Sequence, residues 1–564
     1  NLQQNVAGGM SATVTNDAHA VLPCDGDATT GVRTAFTRFP QVTDEKVYVF
    51  NNDAVNLEAA HAMRNQGVGV HVPTPVEVRK ARIVLDALKR ELVCVKHLEE
   101  ALKEFEQYWD TLPSKFSGKT RQSVFANVSN EAHFDFTTFC LRIKAFIKAE
   151  ASRKEKPRPI ADHGMERLVP LAKVAWIFEK LMCRVSGSNI KGRAKEKALY
   201  QLFNSFTSID DLLMLIENDL TGFEWGVIQA LKELEAELLK HIASFLRLEG
   251  FELAFERIVD SRTQAATWVM HYTDAAGAKC KICIKLPRAM RESGDRLTSS
   301  GNWLQNVIAW FVFLCDEATL DEAVTGWVKS RGRNFFYVSP REGVDPKTGK
   351  AKKHLARLGF EGDDTAGGLS EAIPKAVIEE FFARWGWKPK IRVVEPVGYD
   401  YLEFVGERAL MKDLKPVIVD GRLVSAPPIK RLFHEKAWCT SNMLDKDKPG
   451  SLKLYAIRLA QQYRSVPPMY AFARAMYQDN KHGQSVDKDA MADYLRSLGD
   501  VGFRPNLSKF PEPEGAHAEI WSTWAEVTAG KASDLEIANM CGLTTLKQHG
   551  FDFQAVIPTA WRDA

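Results

Sequence analysis

The sequence predicts a mixed α/β fold of the α+β type, and three patterns predict it. Apolar residues at Val76, Val78, Ala81, Val84, Leu85, Leu88, Leu92 and Val95 recur at helical spacing, with charge filling the other faces. The strand-like segments 266–272 and 279–286 flank Asp274-Ala275-Ala276-Gly277, a β-hairpin signature. A further hairpin is signalled by Asp420-Gly421 within 417–424, and beyond about Pro428 the pattern turns mostly helical.

At 564 residues, with 45% hydrophobic and 26% charged, the chain fits a soluble globular protein with more than one core or one large composite domain. Its 75 basic and 72 acidic residues leave +3, so a nucleic acid would be held by local basic patches and not by a global field. The longest strongly apolar run, 307–315, is too short to span a bilayer and reads as a buried helix. The cysteines are scattered, and only Cys280 and Cys283, with His271 some residues earlier, are spaced to share a ligand. No second pair follows at zinc-finger spacing, so buried free cysteine in a reducing compartment is the preferred reading over zinc or disulfides. The chain opens at Asn1 with no methionine and no signal-peptide pattern, which reads as a trimmed segment of a longer polypeptide.

Taken in order, residues 1–30 are small and polar, with Gly8, Gly9 and Gly26, and suggest either a poorly ordered arm or an extended one docked on another surface. The body starts near Val32, and 75–112 is a helical scaffold without chemistry of its own. Residues 207–248 read as helix, short strand, then long amphipathic helix, with Asp219 at the strand end ahead of Gly222. The loop from Ser293 to Asn302 feeds the apolar helix that follows. Short strands at 355–360 and 365–369 bracket Gly362-Asp363-Asp364, and Gly367 and Gly368 imply close backbone approach in the second.

The ordered set is an acid at a strand end, then Ser-Gly-x3-Thr-x3-Asn before a helix, then Gly-Asp-Asp. Each part alone has an ordinary structural reading, but in sequence they supply a two-metal nucleotidyl-transfer site. Such chemistry uses two divalent ions about 3.5–4 Å apart, and magnesium, which keeps several waters, needs few carboxylates. Asp219 and Asp363 from distant strands suffice, with Asp364 as an auxiliary ligand. Thr298 and Asn302 offer hydrogen bonds to a ribose 2′-hydroxyl. Lys156 and Arg158 alternate on a segment stiffened by Pro157 and Pro159, so both can face a triphosphate. For Arg153 and Lys154 a solvated loop is preferred.

From about Lys144 to Leu410 the chain resembles the RNA-dependent RNA polymerases of positive-strand RNA viruses. Asp219-Leu220-Thr221-Gly222-Phe223-Glu224-Trp225 and Thr298-Ser299-Ser300-Gly301-Asn302 are most similar to the sobemovirus and polerovirus lineage. The resemblance implies a right hand of fingers, palm and thumb, the palm being an antiparallel RRM-like sheet flanked by helices. It divides the chain into an arm (1–30), N-terminal region and fingers (31–206), palm (207–250), a fingers insertion (251–285), palm again (286–425) and a helical thumb (426–564).

By that resemblance Asp219, Asp363 and Asp364 hold two Mg2+ or Mn2+ ions. Glu224, Thr298 and Asn302 select ribose, Glu224 standing where the family usually has aspartate. Ser293 and Gly294 form a flexible loop against the template, and Lys148, Lys156 and Arg158 bind the nucleoside triphosphate. A lysine near residue 388 protonates pyrophosphate, with Lys388 chosen over Lys390. Residues 401–406 read as a primer-gripping hairpin or an ordinary core strand, and 347–354 as an RNA contact or a solvated loop. Trp521 and Trp524 are assigned to core packing. The implied partners are template and product RNA, nucleoside triphosphates and other viral replication proteins, in the host cytoplasm and with recruitment to membranes left to a partner. Asn302 and Gly362 argue against a reverse transcriptase, and intact acids argue against a catalytically silent RNA-binding protein of polymerase fold.

Overall fold

Helix α1 (Pro75–Leu92) begins with a capping box. Thr74 accepts from the Glu77 N–H, the Glu77 carboxylate accepts from the Thr74 N–H, and Pro75 takes the first turn, where no amide partner is needed. A computed structural model describes residues 47–426 apart from 66–72, 110–117, 130–135, 149, 153–155, 192, 194, 207–208, 210, 222, 224–228, 275, 344–348 and 420. Outside that span it describes 3–6, 10–15, 36–37, 438–439, 448–462, 473–474, 476–478, 480–483 and 510–511.

The expected helical scaffold is two helices. α1 closes at Val93, and α2 (Val95–Trp109) starts in a new phase. Val76 and Val95, which kept the apolar rhythm in the sequence, therefore face solvent, while Ala81, Val84, Leu85, Leu88 and Leu92 enter the core. Further along come strands β1 (Arg142–Ile147) and β2 (Pro159–Asp162), helix α3 (Met165–Met182) and strand β3 (Met214–Thr221). They are followed by α4 (Gln229–Ala243), α5 (Glu252–Ser261) and the expected hairpin, β4 (Thr267–Thr273) with β5 (Lys279–Lys285).

Helix α6 (Thr298–Leu314) is buried at every residue from Ser300 to Leu314, as a helix apolar all round must be. Around it are α7 (Leu320–Lys329), strands β6 (Phe335–Val338), β7 (Lys353–Glu361) and β8 (Asp364–Leu369), helix α8 (Lys375–Arg384) and strand β9 (Lys388–Val393). The central sheet has the order β6-β7-β8-β3-β9 and is antiparallel throughout. Phe311 of α6 meets Phe335 at 4.4 Å between ring centroids, and Trp310 meets Phe382 of α8 at 5.1 Å, so one apolar helix joins sheet to flanking helices. Gly367 and Gly368 are close-approach positions. A Cβ on Gly367 would lie 2.5 Å from the Arg357 carbonyl oxygen, and one on Gly368 2.9 Å from Ile209.

A second sheet, β5-β4-β1-β2, is assembled from chain segments on either side of the β3–α4 region, with β4 and β1 parallel. The hairpin of β10 (Tyr399–Phe404) and β11 (Glu407–Lys412) turns at Val405 and Gly406, both with positive φ, the type I′ geometry that matches strand twist. In the N-terminal arm, Gln3–Val6 and Met10–Thr15 pair with each other, and the latter adds to Val47–Phe50, which is the docked alternative. In the C-terminal region Lys448–Gln462 is a helix, and Trp521 and Trp524 lie outside the described residues. Among the described residues no helix is long and apolar enough to cross a membrane.

Candidate active site

Strand register brings the sequence-distant acids together. In the central sheet Asp219 of β3 lies directly opposite Asp364 of β8, and Asp364 in turn opposite Glu361 of β7, leaving Gly362 and Asp363 as a two-residue turn. Gly362 has φ +60°, which suits glycine at the first turn position of a tight hairpin. On the other flank of β3, Lys390 of β9 is the register partner of Asp219, and Lys388 that of Thr221. The Lys390 ammonium donates to the Asp219 carboxylate at 2.9 Å, with the two side chains 61% and 55% exposed, so a ligand can reach the pair.

The Gly-Asp-Asp turn is held from below by a residue that belongs to none of the sequence motifs. Asn306, fully buried on α6, donates its amide to the carbonyls of Gly362 (3.2 Å) and Asp364 (3.3 Å) and accepts from the Thr365 hydroxyl (3.1 Å). Three amides, Asn302, Gln305 and Asn306, inside an otherwise apolar helix are the available signal, since buried polar groups are kept only with partners. One turn earlier, on the same helix face, Asn302 is 7% exposed and its side-chain oxygen has no hydrogen-bond partner. The expectation that Asn302 precedes the helix is corrected. α6 starts at Thr298, whose hydroxyl donates back toward the carbonyls of Asp295 (2.8 Å) and Glu292 (3.1 Å), closing the loop onto the first helical turn.

That loop rests on a buried ionic network. Asp295 accepts twice from Arg262 (2.8 and 2.5 Å) and once from Arg291 (3.3 Å), and both guanidiniums also bind Glu235 of α4, which accepts from Gln305 of α6 as well. Although burial opposes ionisation, these cations hold the Asp295 carboxyl well below its ordinary range and lower that of Glu235 to about 2. Burial, then the Arg291 charge, lowers neighbouring Lys232 to about 7. Gly301 permits the arrangement, because a Cβ there would lie 2.3 Å from the Arg291 guanidinium and 2.7 Å from the Glu235 carboxylate. Gly294, at φ +103°, sits against β2, where a Cβ would meet the Ala161 carbonyl at 2.3 Å, and the Ala161 N–H donates to Ser293 at 2.7 Å.

The Lys148 N–H donates to the Arg158 carbonyl at 2.8 Å, continuing the β1–β2 pairing by one step and setting both side chains on one sheet face. Lys148 also pairs with Glu150 at 2.6 Å, and Lys156 is half-buried beside them in sequence. Glu224 and residues 347–348 lie outside the described residues. Cys280 and Cys283, three apart on β5, point to opposite faces, and Cys283 is exposed, which corrects the expectation of burial. The described residues contain no group of three or more His, Cys, Asp or Glu side chains already arranged to hold a metal. No protein-family model matches the chain, and no curated protein is significantly similar to it.

Proposed function

We propose that the protein is a template-directed RNA polymerase of right-hand architecture, with the central sheet as palm and the β5-β4-β1-β2 sheet in the fingers. The observation that carries this reading is the register that sets Asp219 against Asp364, with Asp363 in the adjoining turn. Carboxylates directly opposite one another repel unless a cation lies between them, and an ammonium already sits on Asp219, so the donor set fits divalent cations. Mg2+ or Mn2+ held by Asp219 and Asp363, with Asp364 beside them, would supply positive charge to the attacking and leaving oxygens of phosphodiester formation.

The chain's own residues divide the remaining work. Lys148, Lys156 and Arg158 bind the triphosphate, and Ser293 with Gly294 borders the template. The unpartnered Asn302 oxygen accepts from a ribose 2′-hydroxyl, with Thr298 and Glu224 completing the sugar contacts. Of the two lysines on β9, Lys390 is the better proton donor to pyrophosphate, because it lies at Asp219 while Lys388 lies two pairs further along the strand.

The test incubates the chain with a homopolymeric RNA template, magnesium or manganese, and the complementary labelled ribonucleotide or deoxyribonucleotide. Template-length product from the ribonucleotide, lost in Asp363→Asn with RNA affinity retained, is expected. Product from Asp363→Asn, or none from a wild-type chain that binds template, overturns the reading.

A further inference from the structure

The β5-β4-β1-β2 sheet buries one face and leaves the other open. Ile143, Ala145, Ile147, Trp268 and Met270 pack inward, while Arg142, Lys144, Lys279, Lys281 and Lys285 point outward and are exposed. Register makes them one array: Lys285 and Arg142 flank Thr267, Lys144 and Cys283 flank Val269, and Lys281 lies opposite exposed His271. None of the five cations forms an ion pair within 4.0 Å with a described carboxylate; Asp162, opposite Lys144, is the acid on this face. At the end of β1 the same face continues to Lys148 and Arg158.

We infer that this open face binds the phosphate backbone of single-stranded RNA, the identity of the polymer resting on the polymerase reading. Alternate residues of a strand are about 6.8 Å apart, so Lys279 to Lys285 spans roughly 20 Å, longer than one triphosphate and suited to successive phosphates of a strand. Lysines two residues apart on one strand share a face and repel one another, and a polyanion relieves that repulsion. Lysines act as point charges on phosphates without reading sequence. On this face only His271, exposed, and Phe146, half-buried, carry rings, against five exposed cations, which favours backbone contact over base stacking.

The experiment measures anisotropy of a fluorescein-labelled oligouridylate against the full chain over a range of salt. The slope of log affinity on log salt falls by about 0.7 for each phosphate-bound cation removed. A triple Lys279→Ala, Lys281→Ala, Lys285→Ala variant should therefore lose about 2 in slope, and Arg142→Ala with Lys144→Ala about 1.4. A control triple at exposed Lys96, Lys103 and Lys329 should keep the wild-type slope. Unchanged slopes in both test variants overturn the inference, as does a wild-type chain that binds phosphatidylserine vesicles but no RNA. The expected slope change in a chain that makes no product upholds the surface and removes the polymerase reading. Product formation with unresponsive slopes does the reverse.

Discussion

Asn306 is the residue through which α6 should control the Gly-Asp-Asp turn, and replacing it separates geometry from folding. In Asn306→Ala two buried carbonyls, those of Gly362 and Asp364, lose their donor, and the Thr365 hydroxyl loses its acceptor. Each net hydrogen bond contributes about 1 kcal/mol, and stranding buried polar groups costs more, so the loss should be about 3 kcal/mol in urea denaturation. Asn306→Asp keeps the acceptor for Thr365 but turns both donations into repulsion between a carboxylate and carbonyl oxygens, so it should be no milder. Freed from α6, the turn need shift by only about 1 Å to slow chemistry on the order of 100-fold. Single-turnover nucleotide incorporation, measured where both proteins are fully folded, should show that drop with oligouridylate affinity unchanged. Wild-type incorporation by a folded Asn306→Ala would refute the positioning role, and an unchanged urea midpoint would refute the hydrogen-bond reasoning.

Two further outcomes follow from buried charges. Burial raises the carboxyl of Glu217 to about 7 from 4.5 in the unfolded chain, so the native state holds a proton that the unfolded chain releases, and stability falls as pH rises from about 4.5 through 7. At 1.36 kcal/mol per pH unit that decline is about 3 kcal/mol; Glu217→Gln should flatten it when urea midpoints at pH 5 and pH 8 are compared, and an undiminished decline would count against it. Gly301→Ala forces a methyl against the Arg291–Glu235 pair and should lower stability by about 1–3 kcal/mol, so a melting temperature equal to wild type would show that the network yields freely.

What could be read from sequence was whatever is local. The hairpin around Asp274 and Gly277, the strands around Gly362, the buried apolar helix and the strand ending near Asp219 all carry period, turn chemistry or both. The helix start was misplaced because Leu297, its N-cap, offers no capping side chain, and Thr298 bonds backward from inside the first turn. The sequence-based choice of Lys388 over Lys390 misses the Asp219 pairing for a different reason. Two residues apart on one strand, they share a face, and only pairing with β3 tells which one meets Asp219. The Glu235, Arg262, Arg291 and Asp295 network draws on three segments distant in sequence, and no spacing within any one of them announces it.

The register that creates the site is itself protected by chemistry on the opposite side of the sheet. Asn218 and Thr365 are paired neighbours of the Asp219–Asp364 pair, and their side chains project to the face that α6 covers, where Thr365 meets Asn306. Sliding β3 by one residue would exchange the faces, burying the charge of Asp219 under α6 and sending Asn218 to solvent. Burying an unpaired carboxylate costs several kcal/mol, far more than the slip could recover from Asn218, whose amide is buried without a hydrogen-bond partner. Asp219 is thus kept outward by the same alternation that places Leu220 and Ile216 in the core. The turn bearing Asp363 can meet it only in this register, so the polar layer of Asn218, Thr365 and Asn306 beneath the acids belongs to the site as much as the acids do.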